Sequence, residues 1–73
     1  SPKGTITQIA DMKGWETSGV DNIDKAILLL NEYKSKLNSS IEKNDNRLET
    51  PYSVFIQNEI IWTQNMIIKL QSY

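Results

Sequence analysis

Residues 51–73 constrain this chain more than any other part of it. They carry two charges, Glu59 and Lys69, against twelve apolar or aromatic side chains: Tyr52, Val54, Phe55, Ile56, Ile60, Ile61, Trp62, Met66, Ile67, Ile68, Leu70 and Tyr73. At the helical period most of these fall on one wide face, while Val54, Ile61 and Ile68 recur every seven residues as a second stripe on the opposite side. A helix that is apolar on more than one side needs cover on more than one side. A chain of 73 residues has little material to provide it.

Size and composition sharpen that expectation. A single domain this small buries only roughly 60% of the surface its unfolded form exposes, and oligomerisation often supplies the missing core. With no cysteine there is no disulfide framework. A net charge of −1 offers no positive excess for phosphates or anionic lipid. No apolar run approaches the ~20 residues of a membrane-spanning helix. The opening Ser1-Pro2-Lys3 has neither a methionine nor the long apolar stretch of a signal peptide, which suggests a processed product or a piece of a longer chain. The expected compartment is the cytoplasm.

Charge maps the organisation. Residues 21–50 hold eleven of the seventeen charged side chains, so this stretch is solvated on one face. It reads as a long amphipathic helix over 19–43, with Ser18 as N-cap, Asp21 and Asp24 at the positive end of the dipole, and apolar positions Val20, Ile23, Ile27, Leu30, Leu37 and Ile41. Tyr33 covers the gap in that spacing at Lys34. The polar cluster Asn44-Asp45-Asn46 marks a turn over 44–50. Thr50 as N-cap and Pro51 at the first helical position then open an apolar helix over 51–72.

Residues 1–18 read as a short helix or arm. Thr5 and Gln8 make a capping box, Ile6, Ile9, Ala10 and Met12 give an apolar side, and Gly14 ends the helix. A short strand over residues 5–9 is the alternative. The expected fold is therefore all-α: an antiparallel two-helix hairpin with the N-terminal segment packed across it, completed by oligomerisation. Its core should join Ile60, Met66, Ile67 and Leu70 to Ile23, Ile27, Leu30, Leu37 and Ile41.

Catalytic readings lack parts. There is no histidine and no cysteine, so the commonest base, nucleophile and transition-metal ligands are missing. The carboxylates Asp21 and Asp24, and Glu42, Asp45 and Glu49, sit where capping and solvation already account for them. The three glycines are isolated, so no phosphate loop exists, and no catalytic, cofactor or metal residues are assigned. The aromatic residues lack the basic groove that single-stranded nucleic acid needs, and fit packing or an interface instead.

Residues 5–27 resemble a helix-turn-helix unit. Ala10, Gly14 and Val20 match its small residue, glycine and aliphatic spacing. The resemblance implies a small DNA-binding regulator with Thr17 to Lys25 as the groove-reading helix and the hairpin as dimer platform. Glu16, Asp21 and Asp24 against the one Lys25 are the wrong sign for a phosphate-lined groove. The better expectation is a non-catalytic interaction module, an adaptor or inhibitor that binds stoichiometrically. Its interface candidates are Val54, Ile61, Ile68, Trp62, Phe55 and Trp15. The partner is another copy of the chain, as dimer or higher oligomer, or a larger protein, with nucleic acid and membrane not expected.

Overall fold

The computed structural model describes residues 1–43 and 49–73. Its element order is α1 (Pro2–Lys13), a 3-10 turn (Thr17–Gly19), α2 (Ile23–Lys43) and α3 (Pro51–Gln71). The described residues are all-helical: α2 and α3 pack against each other as a hairpin, and the short α1 packs against it. The turn expected at Asn44-Asp45-Asn46 lies outside the described residues.

Each helix begins and ends for local reasons. At α3 the Thr50 hydroxyl accepts the Ser53 N–H at 3.1 Å, with Pro51 at the first position, as the sequence reading has it. The same Ser/Thr-Pro signal opens α1. Ser1 Oγ accepts the Gly4 N–H and Pro2 supplies a preset φ. The expected capping box at Thr5 and Gln8 is therefore overturned. Thr5 lies inside the helix, buried, and shares a hydrogen bond with the Tyr73 hydroxyl.

Gly14 ends α1 as expected, in the left-handed region at φ 69°. Its N–H reaches the Asp11 carbonyl, and the Trp15 N–H returns to Ala10 at 2.9 Å, the double closure of a Schellman motif. Trp15 then packs against the core. No atom crowds the position a Cβ would take, so only the backbone opposes a side chain here. Gly14→Ala should cost about 1–2 kcal/mol in chemical denaturation, from the left-handed conformation alone.

The second helix starts later than the sequence reading places it. Residues 17–19 form a 3-10 turn closed by Gly19 N–H to Glu16 and Val20 N–H to Thr17. Asn22, not Ser18, caps α2: its side-chain oxygen accepts the Lys25 N–H at 2.9 Å. Glycine is a poor helix residue and asparagine a strong cap, which moves the start to Ile23. Asp21 and Lys25 approach at 4.0 Å, but both are exposed, so the pair adds little.

The core follows α2 along Ala26, Leu30 and Leu37, with Tyr33 between, at spacings of four, three and four. Facing them on α3 are Ile56, Ile67 and Leu70, with Ile6 and Ile9 of α1 and Val20 closing the end. Ile67, Leu70, Leu30 and Leu37 are buried as expected. Ile23, Ile27, Ile41, Ile60 and Met66 are only partly so. Small residues take part of the inner face, Ala26 near the start of α2, and Ser53 and Thr63 near the start and middle of α3. Ala26, Ser53 and Thr63 are almost completely buried. Thr63 satisfies its buried hydroxyl by donating to the Glu59 carbonyl one turn back, at 2.7 Å.

Candidate interaction surface

The arrangement of α1 decides which side of α3 stays bare. Thr5 meets Tyr73 and Lys13 meets Glu59, so α1 runs antiparallel to α3 along its C-terminal part. Its twelve residues span roughly 18 Å, against roughly 30 Å for the twenty-one of α3. It therefore covers one flank of α3 from Glu59 onward and nothing before it.

The far end of α1 is fixed by a polar cluster. The Lys13 ammonium pairs with Glu59, donates to the Tyr33 hydroxyl at 3.4 Å, and lies over the rings of Trp62 at 4.3 Å and Tyr33 at 4.8 Å. Tyr33 donates to the same Glu59 oxygen at 2.6 Å. Three helices thus meet at one carboxylate. The hydrogen bond from Lys13, and then that from Tyr33, holds the Glu59 carboxyl below the usual range, against the opposing effect of burial. Burial pulls the Lys13 ammonium down, but its bonds to Glu59 and Tyr33 together raise it. The Tyr33 phenol is raised by burial and by its bond to Glu59.

Sequence reasoning gave Lys13 and Glu59 no role, because the two are 46 residues apart and nothing local pairs them. The signal was that Glu59 is the only acid in α3, the helix with the fewest charges. Such a residue needs a cation from elsewhere in the chain.

The six interface candidates divide between inside and outside. Trp62 and Trp15 pack against the core and are only partly exposed. Val54, Phe55, Ile61 and Ile68 remain 46%, 56%, 59% and 53% exposed. Phe55 and the neighbouring Tyr52 lie before Glu59, beyond the reach of α1. Val54, Ile61 and Ile68 run along the side of α3 turned away from α2 and do not lie under the N-terminal segment. Together they form a continuous uncovered face along the helix, with Asn58 and Asn65 exposed between the aliphatic positions.

A second feature is an open groove of about 1120 Å³ between the start of α1 and residues 17–24. Lys3, Asp21 and Asp24 are among the residues that line it, so its charge is mixed. Residues 17–25, which the helix-turn-helix resemblance makes one reading helix, are instead a 3-10 turn, an irregular step and the first residues of α2. Gly19 and the Asn22 cap divide that segment. Among the described residues, no group of three or more Asp, Glu, His or Cys side chains could hold a metal ion. No helix there is long and apolar enough to cross a membrane.

Comparison with protein-family models, curated proteins and solved structures gives no match.

Proposed function

We propose that this chain is a non-catalytic protein–protein interaction module that binds stoichiometrically through the outer face of α3. The observation that carries the reading is the stripe Val54, Ile61 and Ile68, left about half exposed on a folded three-helix unit. Isolated apolar residues on a surface need no explanation, but aliphatic side chains aligned along a helix form a patch of the kind that marks interaction sites. Phe55 and Tyr52 extend the apolar surface past the end of α1. Aromatic residues suit an interface because they bury large area with few torsions to fix.

The core does not depend on this stripe, which makes the reading testable without unfolding the protein. The triple variant Val54→Gln, Ile61→Lys, Ile68→Gln should retain its helical circular dichroism and, at concentrations too low for self-association, its unfolding midpoint. It should lose the complexes that the unaltered chain forms, whether with itself or with proteins of its source cell, as read by sedimentation and by affinity capture. Saturation should occur at a fixed molar ratio. If the triple variant captures the same partners as the unaltered chain, the outer face of α3 is not the binding surface.

A further inference from the structure

The outer face of α3 has a pattern that specifies its occupant. The exposed positions along it are Val54, Asn58, Ile61, Asn65, Ile68 and Ser72, separated by four, three, four, three and four residues. This is an uninterrupted heptad seam, with aliphatic residues at each d position and asparagine or serine at each a position. It lies on the opposite side of the helix from the buried line Ser53, Ile56, Thr63, Ile67 and Leu70 that packs into the fold. The hairpin therefore uses one face of α3, and a complete second seam remains.

Resting on the interaction reading above, we propose that a second copy of this chain covers this seam. Its α3 runs parallel and in register, so that Asn58 and Asn65 each face their own counterparts across a two-fold axis. Symmetry places residues on such an axis opposite themselves. A carboxamide is both donor and acceptor, so two asparagines facing each other satisfy one another. An antiparallel copy sets these asparagines against Val54, Ile61 or Ile68, and covers their amides without partners.

Charge favours a like partner too. On this face Lys69 is the only charged side chain, at an e position. In the parallel arrangement it lies near Gln64 and Gln71 of the other copy, not its own counterpart. Gln57, Gln64 and Gln71 occupy all three g positions, so no like-charged pair opposes association. A partner of opposite charge has almost nothing here to recognise. A seam under three heptads long buries less than the ~800 Å² per partner of standard interfaces, so the dimer should dissociate on dilution, with Kd on the order of 1–100 μM.

Because the chain contains no cysteine, single replacements report the register directly. Asn58→Cys and Asn65→Cys should each give a disulfide-linked dimer on mild oxidation, since a–a contacts bring α-carbons within the ~4.4–6.8 Å that a disulfide needs. An equimolar mixture should give only 58–58 and 65–65 links. Ser35→Cys, on the exposed side of α2, should stay monomeric. In sedimentation equilibrium the unaltered chain should reach twice its monomer mass, and Ile61→Glu should remain a monomer with the same circular dichroism. A 58–65 link as the main product overturns the parallel register. A monomer persisting to about 1 mM overturns the second copy altogether. That result leaves the broader interaction reading to its own test, in which the triple variant must lose its captured partners.

Discussion

Leu30→Ala should leave this protein largely unfolded at 25 °C. Leu30 has no exposed surface and sits midway along the α2 line that faces α3. It belongs to the same cluster as Ile6 and Ile9 of α1 and Ile67 and Leu70 of α3. Removing three carbons there costs the lost transfer energy plus the cavity left behind, about 2–5 kcal/mol for buried leucines. A core in a chain of this size rarely supplies more than ~3–5 kcal/mol in total, so one substitution consumes most of the margin. Urea titration followed by circular dichroism measures it. Ile67→Ala, at the facing position on α3, should lie in the same range. By contrast Leu28→Ala, whose side chain is mostly exposed on α2, should change stability by less than about 0.5 kcal/mol. Equal effects from Leu28 and Leu30 would mean that α2 is rotated about its axis.

The second large effect concerns Glu59, where α1, α2 and α3 meet. Glu59→Ala leaves the Lys13 ammonium and the Tyr33 hydroxyl without their shared acceptor, in a site where the Lys13 side chain is only 14% exposed. Hydrogen bonds to charged groups contribute roughly 1.5–3 kcal/mol, and loss of that size at pH 7 is expected. The pH dependence distinguishes this from a simple packing defect. The folded Glu59 carboxyl titrates below its unfolded value, so on acidification the unfolded chain takes up the proton first. Its contribution is complete above about pH 4.3, the ordinary glutamate value, and is lost as pH falls through the depressed folded value. Lys13 and Tyr33 are raised, so their contributions are complete below about pH 10 and disappear as pH rises through the folded values. Glu59→Ala should remove its share of the acid limb of the stability profile. An unchanged acid limb would show that the ion pair does not stabilise the fold.

The elements show where local information suffices. Thr50-Pro51 announces α3, and Gly14 ends α1, because each acts through neighbours within four residues. Ser1-Pro2 carries the same signal as Thr50-Pro51, and reading it consistently places the start of α1 correctly. Asn22 is a stronger cap than Ser18 in this setting because Gly19 stands between Ser18 and a regular helix. These boundaries were legible in the residues themselves.

The exposed stripe on α3 was also legible, since heptad spacing fixes which side chains share a face whatever the helix packs against. Its division into covered and bare parts was not. Trp62 packs against the core, while Val54, Ile61 and Ile68 stay exposed, including the two that lie alongside α1, because α1 occupies another flank of α3.

What the sequence determined by itself is the all-α class, the two long helices and their apolar faces, because period and capping are properties of consecutive residues. The tertiary structure alone decided the pairing of Lys13 with Glu59 and Tyr33. It also decided the burial of the small residues Ala26, Ser53 and Thr63, and the choice of which apolar face remains uncovered. Those depend on groups tens of residues apart meeting in space, and on which flank of α3 the short α1 occupies.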